Sequence, residues 1–522
     1  MSIAGTPGVA VGIYRKGKPN YYATFGYRDV KNELPVTERT VFPICSLTKL
    51  FVAMTVGELI DSPSNNVTWQ TRLVDILPGF DIQDPFLRQM TIQDALSHQT
   101  GMSRGNWYLG SNNNMIVAHE DSLKFLGDQV PIRELRQAFE YNNLGYELAG
   151  LAIDKLSDSS WAQLVADDFL SPWNMTRTWT RRPPPLTEGV SKAYNVLDNG
   201  SSVEIHTVQA GDGSFGGSSG GMFSCIEDLL KAYGTIMSAI ECRREKENYY
   251  NPSTQQNSIK QATAIFSAKI PMAQPTVREA SYAMGLARVE LPGPMGHIGV
   301  NPSLLPGGRM PTVARGSSSK LVFYHQGSFP GAFSAIAMIP ELNIAVGVLS
   351  NAMGLNDCPD WIIQLIVEEI LGSPERNDYI AAARRSAAVT LDWYPRTLAD
   401  LEKTRTADEV GPARPVREYV GTYWNRKRYA KIEVSLATDG TLAWALQGLD
   451  SEKYTLTHYG GDAFHWLHPR NYLVSRGRWV DEPASFWVLK FSRHANSGRV
   501  ASVNWVHDAD IPAGEDFFRE EQ

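Results

Sequence analysis

The chain has 522 residues, 43% of them hydrophobic, 10% aromatic and 20% charged, which supplies the apolar material for several packed domains and excludes general disorder. Its 49 Lys and Arg against 56 Asp and Glu give a net charge of -7 without a basic stripe, so nucleic acid is not an expected partner. Four cysteines without a Cys-x-x-Cys pair fit neither a disulfide framework nor a zinc site and read as core thiols; no metal or cofactor is expected.

The first residues lack the charged start and apolar run of a secretory signal, and no stretch approaches the ~18 uninterrupted apolar residues of a membrane span. The expectation is a soluble, cytoplasmic protein, the sequons at Asn66, Asn174 and Asn199 being no more than chance supplies. Residues 8–27 alternate apolar and polar about a Gly-Lys-Pro turn, the pattern of a β-hairpin. Residues 46–60 are apolar nearly all round, as in a core helix. Helical and irregular segments follow to about residue 240, with Gly/Ser/Asn/Pro clusters at 105–114, 181–187 and 211–221 marking loops. The polar run 241–258 reads as a solvated helix end and a loose loop.

Strand character returns at 320–326, 331–340 and 343–352, a three-stranded meander. A helix is predicted at 361–372, then a mobile, charged linker over 373–412. Six of the 13 tryptophans lie after Val416, within short alternating runs such as TLAWALQ and SFWVLKF, so 413–522 forms a separate all-β domain.

The sharpest chemical signal is Ser46-Leu-Thr-Lys49 at the start of the apolar helix. A spacing of three puts the amine on the same helix face as the hydroxyl, one turn along. Burial would disfavour the charged ammonium and turn Lys49 into a usable base, and an N–H at a helix start is free to face an oxyanion. A second Ser-x-x-Lys, Ser317 to Lys320, precedes a strand, where such a spacing points the two side chains to opposite faces.

Tyr141-Asn142-Asn143 sits on a loop before helix-forming sequence: a phenol beside a lysine can relay its proton, and an amide can hold both the lysine and a substrate carbonyl. The same letters recur at Tyr249 and Tyr423, the first in the polar loop and the second in the β domain. His325-Gln-Gly327 precedes Ser328-Phe-Pro-Gly331 on an edge strand; Gly327 would admit a substrate close to the backbone, and the Ser328 N–H could be a second oxyanion donor. His297 and His458 carry the same three-residue pattern without two apolar strands behind it.

In this order the three motifs resemble the serine β-lactamase and penicillin-binding-protein superfamily, in particular its class C-like branch of esterases, D-amino-acid peptidases and acyltransferases. The resemblance spans about residues 7–372 and includes TPGVAVGIYRKGK, TIQDALSHQTGM at 91–102, SPWNMTRT at 171–178 and GGMFSCIEDLLK at 220–231. It implies an α/β (α+β) fold with an antiparallel sheet flanked by helices and a helical insertion, followed by a C-terminal β-barrel similar to the lipocalin-like domain of some members. The domains are then 1–372, a linker 373–412, and the barrel 413–522.

The resemblance implies Ser46 as nucleophile, Lys49 and Tyr141 as the proton-transfer pair, Asn143 as a positioning amide and His325 as a further catalytic residue. It places the N–H groups of Ser46 and Ser328 in the oxyanion hole. Trp107 and Tyr108, on the loop after His98-Gln-Thr-Gly, read with Gly327 as substrate-binding residues. His325 stands where the β-lactamases have a lysine, which favours a neutral ester, lactone, thioester or amide over carboxylate-bearing β-lactams. The chain also lacks the helix that usually precedes the first strand in this family. The expected partner is a small-molecule or peptide acyl substrate. The alternatives are an acyltransferase or cyclising thioesterase of a secondary pathway and, from another class, a catalytically silent scaffold of the same fold.

Overall fold

The computed structural model describes residues 1–246, 259–272, 278–405, 412 and 415–521, with 241–246 as backbone alone. Nine strands form one antiparallel sheet: β1 (Gly8–Arg15), β2 (Tyr21–Asp29), β3 (Leu34–Pro35), β4 (Ile270–Pro271), β5 (Ala280–Tyr282), β6 (Ala287–Leu291), β7 (Lys320–Phe329), β8 (Ala332–Ile339) and β9 (Ile344–Ser350). Their order is β3-β2-β1-β9-β8-β7-β6-β5-β4, so the predicted N-terminal hairpin closes onto the last strand of the meander, with Val9 opposite Ser350 and Arg15 opposite Ile344.

Period-two alternation sorts β1 between two layers. Val9 and Val11 join the core beneath helix α4 (Cys358–Ile370), while Ala10 faces helix α3 (Ile226–Lys246). Gly12 and Gly347 are register partners, and a Cβ on either would stand 2.6 or 2.7 Å from the Ile226 side chain. Two missing side chains thus let α3 settle on the sheet. Between β3 and α3 lies the helical insertion, built around α1 (Thr48–Asp61), buried on nearly every side, and α2 (Asn143–Leu156), which packs across it.

The expected mobile linker is corrected: residues 379–404 form a continuous helix, α5 (Tyr379–Thr404). The charge of the segment concealed an amphipathic repeat, with Tyr379, Ala382, Ser386, Trp393, Thr397 and Leu401 buried at three- and four-residue steps, and Asp378 caps it by accepting from the Ala381 N–H at 2.8 Å. The polar run after Glu241 continues α3 as far as Lys246; its remainder, with the Tyr249 motif, lies outside the described residues.

The C-terminal unit is a closed eight-stranded barrel running from Gly421–Trp424 to Glu515–Arg519. Trp444, Trp466, Trp487 and Trp505 fill its interior, with the Trp466 ring centroid 4.5 Å from Trp487 and 4.8 Å from Trp444, so the aromatic wealth is core. The barrel is fastened to the insertion's loop at 104–116. Glu452 accepts from the Ser111 N–H at 2.5 Å, Arg478 pairs with Glu452 at 2.8 Å, and the Asn112 N–H donates to the Arg476 carbonyl at 2.6 Å. Trp107 stacks parallel to Tyr429 of the barrel.

Both members of the Glu452–Arg478 pair are buried, and removing one partner of such a pair leaves an uncompensated charge. Arg478→Ala is expected to cost about 3–5 kcal/mol in denaturant unfolding, whereas Glu452→Gln with Arg478→Met together should recover most of it. A single variant within about 1 kcal/mol of wild type, the range of an exposed pair, would show that the junction does not depend on this contact.

Candidate active site

Ser46 lies in a single 3-10 turn, Cys45–Leu47, that leads into α1. Cys45 is held at φ +52°, a left-handed conformation that is uncommon for a residue with a side chain, and the Thr48 hydroxyl donates to its carbonyl at 2.7 Å. Ser46 is thereby lifted half-exposed out of a buried run.

Lys49 is fully buried and its Nζ donates to three oxygens: Ser46 Oγ at 3.0 Å, Asn143 Oδ1 at 2.8 Å and the Ser219 carbonyl at 2.7 Å. Burial pulls the amine down to about 7, opposed in part by the charge of Glu147. The Tyr141 ring centroid lies 5.1 Å from Lys49 Nζ; burial raises its phenol and the neighbouring Ser46 offsets part of the rise. Sequence reading thus paired Ser46, Lys49, Tyr141 and Asn143 in space.

The Tyr141–Asn143 loop is set from below. Asn142 caps α2 by accepting from the Leu144 N–H at 2.9 Å, and its amide nitrogen donates to the carbonyls of Met102 and Ser103. Its own N–H donates to His98 Nδ1 at 3.0 Å, and the His98 ring lies 4.3 Å from that of Tyr141. Thr91 and Asp94 form the capping box that starts the preceding short helix. The 91–102 text is the foundation of the Tyr-x-Asn loop.

A cavity of about 210 Å³ opens over Ser46. Trp107, Tyr108, Asn143 and Ser328 line it, joined by Asn106, Leu109, Ser219 and Phe329. Four more wall residues, Arg478, Trp479, Glu482 and Phe486, come from the barrel. Burial raises the Tyr108 phenol, and the neighbouring Asn143 and Ser219, which hold Lys49, offset part of that rise. Burial raises the Glu482 carboxyl to about 8.

His325 and Gly327 do not line the cavity, which corrects their expected contact with substrate. His325 is wholly buried, with Nε2 against the Tyr282 hydroxyl at 2.9 Å and Nδ1 against the Gln326 carbonyl at 2.5 Å. Burial, then the nearby Lys49 charge, pushes it down to about 3, so the imidazole is neutral. Nor is β7 an edge strand: it lies between β8 and β6, although β6 pairs only with Lys320–Tyr324. Beyond Tyr324 its outer side meets the turn that carries Ser46. A Cβ on Gly327 would stand 2.8 Å from the Ile44 carbonyl, 2.9 Å from Cys45 Cβ and 2.5 Å from Ser334 Oγ. The glycine admits that turn, and so sets Ser328 beside Ser46.

The other motif matches join no such cluster: Ser317 lies after the exposed Arg315 and Gly316, and Lys320 Nζ donates to Ser318 and Ser319 rather than to it, while Tyr423 and His458 belong to the barrel strands. Sequence reading missed Ser219, Glu147, Tyr282 and the four barrel residues. The glycine-rich run 216–221 was a legible sign of close backbone approach near Ser219; the barrel residues carry no local signal.

The β-lactamase family profile matches residues 1–368, and a second family, described as a domain of unknown function (DUF3471), matches 406–519. The chain belongs to the β-lactamase family and is a serine hydrolase of that superfamily. It is similar to an unguisins hydrolase, ungD, of Aspergillus violaceofuscus, 24% identical over 88% of this chain and 79% of the relative. It is also similar to a D-aminopeptidase of Cereibacter sphaeroides, 24% identical over 95% of this chain and 93% of the relative. The octameric penicillin-binding protein homologue from Pyrococcus abyssi shares the fold, at a TM-score of 0.55 and 19% identity over 99% of this chain and 95% of that one. Among the described residues no helix is long and apolar enough to cross a membrane.

Gly327→Ala tests the seating of the turn. Overpacking there should cost about 1–3 kcal/mol of stability, while displacement of Ser328 from Ser46 should lower ester turnover about 100-fold. Activity that falls only in step with the folded fraction would assign Gly327 to packing alone.

Proposed function

We propose that Ser46 attacks the carbonyl carbon of a peptide amide, ester, lactone or thioester and carries the acyl group as an ester until water removes it. The observation that carries this reading is the buried Lys49 amine 3.0 Å from Ser46 Oγ. In the neutral form of Lys49 its nitrogen lone pair takes the hydroxyl proton as the new C–O bond forms, directly or through the Tyr141 phenol. The N–H groups of Ser46 and Ser328, both wall residues, receive the developing oxyanion. Collapse breaks the bond to the leaving group, which departs with the proton held by Lys49 or Tyr141. Water then repeats the sequence in reverse and frees Ser46.

The names of the relatives, a D-aminopeptidase and a hydrolase of unguisins, support a peptide amide as the substrate class. So does the wall, in which Trp107, Tyr108, Phe329, Trp479 and Phe486 offer apolar faces beside the polar tips of Arg478 and Glu482. The neutral, buried His325 supplies no cation for the carboxylate of a β-lactam drug. We assign the barrel the far wall, and with it part of the choice of acyl group.

Ser46→Ala should abolish labelling by a fluorophosphonate with the fold intact, and Lys49→Ala and Tyr141→Phe should each slow acylation about 100-fold. Labelling that persists in Ser46→Ala, or that maps to another serine, would overturn the nucleophile. Because the base must be neutral and Lys49 is charged below about 7, kcat/KM should fall as pH is lowered through about 7. A flat profile between pH values of roughly 5 and 9 would remove Lys49 from the role.

Trp479→Ala and Phe486→Ala test the wall. KM for bulky acyl nitrophenyl esters should change about tenfold, the scale of a lost apolar contact, with nitrophenyl acetate nearly unaffected. Equal effects on both substrates would deny the barrel a part in selection.

A further inference from the structure

Of the three acceptors around Lys49, the Ser219 carbonyl belongs to a short turn, Gly217–Gly220, with little regular structure of its own. What holds that turn is Glu147 on α2. Its Oε1 accepts the Ser219 N–H at 3.0 Å, and the Gly216 backbone and the Ser218 side chain lie beside its carboxyl. Glu147 is 6% exposed. Burial raises the Glu147 carboxyl above its usual value and the hydrogen bonding at Ser219 offsets part of that rise; a buried anion is retained only where it is hydrogen-bonded or compensated. The compensating charge is the ammonium of Lys49, which donates to the carbonyl of the same residue, Ser219.

We infer that Glu147 is a positioning residue of this site, which acts through the backbone of the turn at Ser219 to aim the Lys49 amine at Ser46 and supplies the negative charge that the ammonium form meets. The inference rests on the proposal that Lys49 is the base. The geometry is a relay with Glu147 at one end and Ser46 at the other. The carboxylate holds the N–H of Ser219, the Gly220 N–H, bonded to the Gly216 carbonyl at 3.1 Å, holds the next peptide plane, which carries the Ser219 C=O, and that carbonyl with Asn143 Oδ1 and Ser46 Oγ leaves the amine one direction in which to face the hydroxyl. No bond is made or broken at Glu147.

The other titratable groups around the amine are Cys45 from the turn before α1, Tyr141 and Tyr146, whose ring centroids lie 5.1 and 5.2 Å from Nζ, His98, His325 from β7 and Tyr108 from the cavity wall. Burial holds the two imidazoles neutral and keeps the thiol and the phenols protonated. Glu147 is therefore the group among them whose removal changes the charge that Lys49 meets.

Glu147→Gln keeps an oxygen for the Ser219 N–H and removes the charge; Glu147→Ala removes both. In Glu147→Gln the acid limb of kcat/KM should move to lower pH, because the ammonium loses its compensating anion. In Glu147→Ala kcat should drop roughly 100-fold, the cost of a misplaced base, with KM little changed. Isotope-labelled lysine side-chain NMR, assigned with Lys49→Arg, reads the Lys49 titration without any turnover and should move the same way in Glu147→Gln. An unmoved Lys49 titration in Glu147→Gln overturns the inference, as does wild-type kcat in Glu147→Ala. Wild-type enzyme that is never labelled at Ser46, with the Lys49 titration still moved by Glu147→Gln, would sink the proposed function and leave the part of Glu147 standing.

Discussion

An amine with no exposed surface must find its solvation inside the protein, and in this chain that demand falls on Lys49. Removing an ammonium from water costs several kcal/mol unless acceptors replace the lost hydration. The three acceptors come from three separate stretches of chain: Ser46 from the turn before α1, Asn143 from the first turn of α2 and Ser219 from the glycine-rich turn. One cation therefore ties together segments 170 residues apart in sequence. The same desolvation brings the amine to about 7, so the interaction that organises the site also gives it a base suited to neutral water.

A second constraint operates at the cavity wall. The loop at 104–116 consists of single 3-10 turns, with Asn112 and Asn113 at positive φ, closed by internal bonds such as that of the Gly110 N–H to the Asn114 carbonyl. Groups left over from these turns are satisfied from the barrel: Ser111 by Glu452 and Tyr454, the Asn112 N–H by the Arg476 carbonyl, Asn114 by Ser451, and the N–H groups of Arg104 and Gly105 by Asp508. Buried backbone groups rarely go unpaired, so the barrel shares in fixing the loop's conformation. Trp107 and Tyr108 are in this sense partly products of the C-terminal domain.

What the amino-acid sequence disclosed follows the range of the forces involved. Ser46 and Lys49 were legible because helix geometry fixes an i, i+3 pair, and Tyr141 and Asn143 because they bracket an N-cap. The meander of β7, β8 and β9 was legible because burial on a sheet repeats every second residue. Helix α5 was misread as a linker because its charges mask a buried stripe that is visible only on counting three- and four-residue steps. Ser219 and the barrel wall were illegible for a different reason: a carbonyl is carried by every residue type, and a contact between Ser111 and Glu452 is encoded by nothing local. His325 shows the converse case, in which the letters of a motif are present and the buried side chain bonds Tyr282 behind Tyr141, whose ring centroid is 6.1 Å away, without lining the cavity.

That orientation of His325 gives the end of β7 a task distinct from binding. Its side chain is engaged by Tyr282; the next residue, Gln326, donates to Asp360 at 2.8 Å, and Asp360 also accepts from Asn301 and Gln364. Burial raises the Asp360 carboxyl, a rise that Asn301, Gln364 and Gln326 partly offset, while burial and the neighbouring Asp360 raise Asp357 well above the usual carboxylate range. Gly327 then meets the Ile44–Cys45 backbone with no side chain between, and the Ser334 hydroxyl donates to the Ile44 carbonyl from the neighbouring strand at 2.9 Å. Each link restrains the strand against the nucleophile turn. With the lateral position of β7 fixed in this way, the backbone of Ser328 stands still while the bound carbonyl changes geometry, which is the condition under which a pair of N–H donors stabilises a transition state more than a ground state.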